Sequence, residues 1–170
     1  MRRCQQVICI ITLIIFHSRG FCQEKKIIVK PYSIESTYEK LKKTYPFIIP
    51  IKPIISKKIK SKENIVYLKI GKTKLKADVY IPQSYQNKKF PSVILIHGGA
   101  WNSGSKENQR CMAQQLALNG FVSISISYRL STEAPYPAAV SDIKSAIKWA
   151  RKNAKKYHIN PEKLAILGAS

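Results

Sequence analysis

Apolar and polar residues follow three different rhythms along the chain. Residues 7–16 are an almost unbroken apolar run, and residues 23–62 show no sustained period. From Asn64 the pattern becomes regular. Ile65 to Ile70 and Leu75 to Ile81 are strand-like runs separated by Gly71-Lys72-Thr73-Lys74, which predicts a β-hairpin. Val79 and Ile81 alternate with Asp78 and Tyr80, as in a half-buried strand ended by Pro82. Ser92 to Ile96 is a short continuous apolar run, which predicts a strand covered on both faces. His97-Gly98-Gly99 interrupts it.

A helix is predicted over Lys106 to Asn119, capped by Ser105, with Met112, Ala113, Leu116 and Ala117 as its buried stripe and Gly120 just past its end. Phe121 to Tyr128, rich in β-branched residues, reads as the next strand. Val140, Ile143, Ile147, Ala150 and Ala154 step by three or four residues and draw the stripe of a second helix. Arg151, Lys152, Lys155 and Lys156 gather near its end, where the helix dipole favours cations. Asn160-Pro161 turns the chain, and Leu164 to Leu167 is a last buried strand leading into Gly168-Ala169-Ser170. The order is a hairpin followed by β, α, β, α, β. That order predicts an α/β fold with a doubly wound, mainly parallel sheet. Ligands of such sheets bind at the carboxyl ends of the strands, and both glycine-marked sites fall there.

The front of the chain reads differently. Arg2 and Arg3, the apolar run from Val7 to Phe16 and Gly20-Phe21-Cys22 together predict a signal peptide over residues 1–22, with export to the periplasm or medium. Ten apolar residues are too few to span a bilayer, where about twenty are needed, so no stable membrane span is expected after cleavage. Lipid anchoring through Cys22 is the alternative. Cys4, Cys9 and Cys22 lie in this leader; Cys111 has no partner left and reads as a packing residue. Residues 23–62 read as an extension or linker. Ser33 to Tyr45 can form a short helix with Ile34, Tyr38 and Leu41 on one face, but Pro46, Pro50 and Pro53 then interrupt regular structure. Residues 63–170 are the regular domain.

Thirty Lys and Arg against nine Asp and Glu give a net charge of +21. Such a surface attracts nucleic acid, anionic lipid or acidic polysaccharide. The lysines are spread along the whole chain without aromatic interleaving, which argues against a nucleic-acid groove.

Two segments carry chemistry. Gly168-Ala169-Ser170 is the first half of a G-x-S-x-G turn, in which a serine is lifted on a sharp strand-to-helix turn and needs small neighbours. Alone it is a weak signal, since any loop after a strand can hold such a turn. His97-Gly98-Gly99-Ala100-Trp101 follows the central strand. Glycines there let backbone N–H groups approach a developing oxyanion, though a plain glycine turn would look similar. There is no G-x-x-x-x-G-K-[ST] and no G-x-G-x-x-G, so a phosphate cradle is not indicated.

Together with Ser127-Tyr128-Arg129-Leu130, Ala134-Pro135-Tyr136-Pro137-Ala138, Asp142 and Asn160-Pro161, these motifs resemble the esterase/lipase branch of the α/β-hydrolases. The likeness is to exported carbohydrate-acyl esterases and hormone-sensitive-lipase-like enzymes, and it extends over about residues 63–170. The resemblance implies Ser170 as nucleophile, with Gly99 and Ala100 as oxyanion donors and Gly98 shaping the loop. It also implies a small-molecule or polysaccharide ester as substrate. Trp101 would line the acyl or sugar pocket, a core role being the other option. No metal or organic cofactor is expected, because no His, Cys or carboxylate cluster has ligand spacing.

In that family the triad runs Ser, then Asp or Glu, then His, and no residue follows Ser170 here. His158 is expected at the opposite, amino edge of the sheet. His97 is expected to order the loop rather than exchange protons, and Asp142 to serve the helix or loop. The expectation is therefore an incomplete hydrolase, inactive by itself, with the last strand left as an apolar edge. Two other readings stay open: an exported serine peptidase of the same fold, and a non-catalytic module that binds acidic polysaccharide through its basic surface.

Overall fold

The computed structural model describes residues 32–83 and 88–170; the leader predicted over residues 1–22 lies outside them. Helix α1 (Ile34–Leu41) opens the described chain. It is shorter than the sequence suggests and is set by a reciprocal cap. The Ser36 N–H donates to Ser33 Oγ (3.1 Å), and the Ser33 N–H donates to Ser36 Oγ (2.9 Å). An extended segment then leads to strand β1 (Ile59–Ile70), which begins four residues ahead of the expected start of the domain. Strands β2 (Thr73–Pro82) and β3 (Phe90–Ile96), helix α2 (Arg110–Leu118), strand β4 (Val122–Ile126), helix α3 (Ala138–Lys152) and strand β5 (Ile159–Gly168) follow.

The sheet order is β1-β2-β4-β3-β5. Strands β3, β4 and β5 are parallel, whereas β2 runs antiparallel to both β1 and β4. From β3 the chain crosses to β4 on one side and then returns past β3 to β5 on the other. Right-handed crossovers in opposite directions put the two connecting helices on opposite faces. On one face, Ala146 and Ala150 of α3 pack with Ala77, Val79, Ile94, Ile124 and Ile126. On the other, Ala113 and Ala117 of α2 pack with Tyr80, Val93 and Leu95. The doubly wound α/β fold is as expected. It puts the reversal of strand order at β3, the strand that leads into the glycine loop.

Three local expectations need correction. The helix expected over Lys106 to Asn119 is split: Lys106–Gln109 form a tighter 3₁₀ turn, and the α-helix begins only at Arg110. Its stripe is also rotated, for Met112 is half exposed and Gln114 is buried. Gln114 turns inward because its Oε1 accepts the Ile54 N–H of the N-terminal arm at 2.7 Å. In α3 and just past its end, Ile143, Ile147, Ala150 and Ala154 pack against the core as expected, but Val140 is exposed and Asp142 and Ala146 are the residues buried beside Ala150. Lastly, β5, read from its own residues as a buried strand, exposes Ile166 and Leu167 and forms the apolar edge also expected of it, because β3 is its one neighbour among the described residues.

Candidate active site

The loops after β3 and β5 meet at the carboxyl edge of the sheet. Ile96 pairs with Gly168 in parallel register, and the Ala169 N–H donates to the Ile96 carbonyl at 3.0 Å. The approach is close enough to require glycine. A Cβ on Gly98 would lie 2.9 Å from the carbonyl carbon of Ser170 and 3.2 Å from the carbonyl oxygen of Ala169. Ser170 itself is exposed.

The loop from His97 to Ser105 is wound tightly. Gly99 has φ +115°, and a Cβ there would overlap the Ser103 carbonyl. The Gly99 carbonyl accepts from the N–H groups of Asn102 and Ser103 and from Ser103 Oγ, each at 3.1 Å. Ala100 (φ 50°) and Trp101 (φ 58°) then occupy the left-handed region, which costs a non-glycine residue about 1–2 kcal/mol. The Trp101 carbonyl accepts from the Ser131 N–H at 2.7 Å, which ties this loop to the next one. Among the described residues, neither the Gly99 nor the Ala100 amide donates to an intramolecular acceptor.

His97 sits beneath the loop, almost wholly buried. Its ring stacks on Tyr128, with centroids 4.4 Å apart and planes at 9°. The Tyr128 hydroxyl donates to the His97 carbonyl at 3.0 Å. His97 Nδ1 lies 2.9 Å from the Gly98 carbonyl, which can only accept, so Nδ1 carries the proton. Burial holds the imidazole below its usual pKa and therefore neutral. His97 thus braces the loop, and its position fits ordering rather than proton exchange.

Two ion pairs brace the same edge from below, and sequence reasoning found neither as a pair. Arg129, just after β4, grips the buried Asp142 of α3 with both Nε (2.9 Å) and Nη2 (2.8 Å), while its own N–H reaches Oδ2 at 3.0 Å. This fork geometry gives direction as well as charge. Asp142 serves the loop after β4, as expected. The second pair joins Lys106 Nζ to Asp78 Oδ2 at 2.8 Å, with both side chains buried. The Lys106 backbone is held too, its N–H donating to Ser127 Oγ at 3.2 Å and its carbonyl accepting from the Ser125 hydroxyl. Glu107 Oε1, 2.6 Å from the same ammonium, is pushed up by burial but drawn further down by Lys106, to about 2. The alternation of Asp78 inside β2 was the one sequence signal for this network.

A cavity of about 420 Å³ opens beside the loop, lined by Ala100, Trp101, Arg129, Ser131, Tyr136 and Val140. Trp101 and Tyr136 are largely exposed, so Trp101 does not take the core role. His158 lies elsewhere, as expected. Its carbonyl accepts from the N–H of Phe90, the first residue of β3, while Gly98 follows the last, Ile96. Seven strand residues of about 3.3 Å each separate the two edges.

A mixed sheet whose parallel strands reverse order at β3, with a glycine loop packed on a serine at its carboxyl edge, fits the esterase/lipase branch of the α/β-hydrolases. The BD-FAE family model matches residues 77–170, more than half of the chain, and the protein belongs to this family. It is similar to the carboxylesterase NlhH of Mycobacterium tuberculosis, 32% identical over 101 residues, covering 59% of this chain and 31% of that protein. An arylesterase of Saccharolobus solfataricus is 36% identical over 104 residues, covering 61% of this chain and 33% of that protein. Among solved structures, propionate-bound Est2, a thermophilic esterase of Thermogutta terrifontis, aligns with a TM-score of 0.59 and 28% identity. That match covers 67% of this chain and 42% of Est2. The chain spans about a third of the length of the two curated relatives.

Proposed function

We propose that the protein is a carboxylic-ester hydrolase working through a serine acyl-enzyme. In this reading Ser170 Oγ attacks the ester carbonyl carbon as its proton passes to the histidine of the family's triad, which returns it to the departing alcohol. The oxyanion that forms is met by the N–H groups of Gly99 and Ala100. Collapse of that intermediate expels the alcohol and leaves an acyl-serine for water to hydrolyse. The observation that carries the reading is the juxtaposition of two unengaged amides with a serine turn, on a loop whose Gly98 touches the Ser170 backbone. Donors aimed at an oxyanion contribute about 3–4 kcal/mol each, and a loop already wound into the left-handed region pays no reorganisation during the reaction.

The described histidines do not supply a base: His97 is buried in a stack and His158 lies at the far edge. The family's order of Ser, acid, His places both partners after the serine. Small acyl groups or acylated carbohydrate are the proposed substrates. The modest cavity walled by Trp101 supports this size, as does the propionate held by the similar Est2. Export through a leader over residues 1–22 is part of the same proposal.

A fluorophosphonate probe tests the core of it. The full gene product should label covalently, and Ser170→Ala should abolish labelling while leaving thermal unfolding unchanged. Labelling that survives Ser170→Ala would overturn the assignment of the nucleophile.

A further inference from the structure

The segment between α1 and β1 shows its apolar side chains to solvent. Phe47 is 79% exposed, Ile49 84%, Ile51 71% and Ile55 fully so, while the intervening Ile48, Pro50 and Ile54 are half-buried. This alternation is what an extended chain produces when one side is fastened down. The fastening is visible along α2 and the turn before it. Asn108 Nδ2 donates to the Tyr32 carbonyl (2.9 Å), Cys111 Sγ to the Ile51 carbonyl (3.6 Å), and the Ile54 N–H to Gln114 Oε1 (2.7 Å). Scattered single apolar residues are ordinary on a protein surface, but a row of them marks an interaction site.

The charge of the same segment identifies the partner. Lys42 to Lys62 contains seven lysines and no carboxylate. Lys42 pairs with Glu39 at 2.7 Å, and none of the other six forms an ion pair among the described residues. We propose that this arm docks on an anionic lipid surface, with Phe47, Ile49, Ile51 and Ile55 entering the boundary between headgroups and acyl chains and the lysines meeting lipid phosphates. Nucleic acid and acidic polysaccharide would satisfy the lysines but offer aliphatic side chains no place to leave water. A second copy of the chain would cover the isoleucines but would bring two sets of lysines together, a like-charge contact that lowers affinity by about a hundredfold or more. A bilayer supplies both an apolar layer and negative charge. The docking is peripheral, since no described helix is long and apolar enough to cross a membrane. It does not depend on the ester-hydrolase reading.

The test is co-sedimentation of the 170-residue chain with vesicles of phosphatidylcholine alone or with a quarter phosphatidylglycerol. Residues 7–16 are common to parent and variants, so their own lipid affinity cancels in the comparison. The triple variants Ile49→Ser/Ile51→Ser/Ile55→Ser and Lys52→Glu/Lys57→Glu/Lys58→Glu should each lower partitioning onto anionic vesicles by roughly thirtyfold or more. Added salt should weaken the parent's binding. Because the lysine variant alters only exposed side chains, it keeps the test decisive even where the isoleucine variant misfolds. The proposal is overturned if either folded variant partitions within twofold of the parent, or if the parent binds neutral and anionic vesicles alike. Sedimentation velocity showing a dimer abolished by the isoleucine changes would also overturn it, in favour of self-association.

Discussion

The two edges of the sheet differ in a way that cavity size alone would misrepresent. The amino edge holds the larger hollow, about 690 Å³, with Lys60, Lys62, Lys156 and His158 around it. The carboxyl edge has a smaller one, but there the backbone is constrained at every step: Gly98 against Ser170, Gly99 against Ser103, and two residues in the left-handed region. One buried ion pair, one part-buried pair and a stacked histidine hold it from beneath. The amino edge has one left-handed residue, His158, and no ion pair among the described groups that line its hollow. Strain persists only where surrounding structure over-determines it, and in this sheet it concentrates at the carboxyl edge.

The sharpest way to break this contrast is at Gly99. Gly99→Val should destabilise the chain by about 3–4 kcal/mol, read as a fall in thermal midpoint, because φ +115° and the Ser103 carbonyl both exclude a branched side chain. A cost under about 1 kcal/mol would mean the loop is looser than described. Next comes Asp142→Ala, expected to cost about 2 kcal/mol in urea unfolding, since it removes the buried acceptor of three Arg129 hydrogen bonds while the partly exposed guanidinium can still reach water. His158→Gly at the other edge should stay within about 1 kcal/mol of the parent, on the stabilising side, because glycine relieves a left-handed φ of 57°.

The pH dependence sharpens the contrast further. Burial holds His97 below the ordinary imidazole pKa of 6.5, so the unfolded chain binds the proton first. The stability His97 contributes is fully present above pH 6.5 and is lost as pH falls from there toward its lower folded pKa. Thermal midpoints between pH 7 and pH 5 should fall, and less steeply in His97→Gln. The smallest effect belongs to Glu107. Its carboxyl titrates near 2 when folded against 4.5 ordinarily, so its contribution is present above pH 4.5 and lost as pH falls toward 2. Glu107 is half exposed, and water screening keeps this effect well under about 1 kcal/mol. Glu107→Gln should flatten the acid limb slightly.

Much of this was legible in the chain. The alternation in Leu75 to Ile81, the continuous run in Ser92 to Ile96 and the stepped stripe in α3 are one-dimensional records of how many faces each element buries. The glycines at 98 and 99 mark the first tip for a similar reason, as residue types chosen for backbone approach, whereas a Cβ at Gly168 would meet nothing within 4 Å. Lys106 was not legible. A lysine next to a capping serine reads as surface, and only the fold brings it to Asp78, 28 positions earlier. Arg129 and Asp142 stood out singly, but their fork depends on how α3 lands against the end of β4. Exposure of Met112, Val140, Ile166 and Leu167 likewise depends on which neighbours each element has, not on its own period.

The amino-acid sequence by itself determined the elements, their order and the two glycine tips, because local propensity and burial period are written residue by residue. Only the tertiary structure decided that Gly98 lies on Ser170, that His97 stacks beneath their loop, and that the histidine at 158 stands a strand's length away. Those are relations between segments far apart in the chain, set by crossover handedness and strand register rather than by any stretch of residues alone.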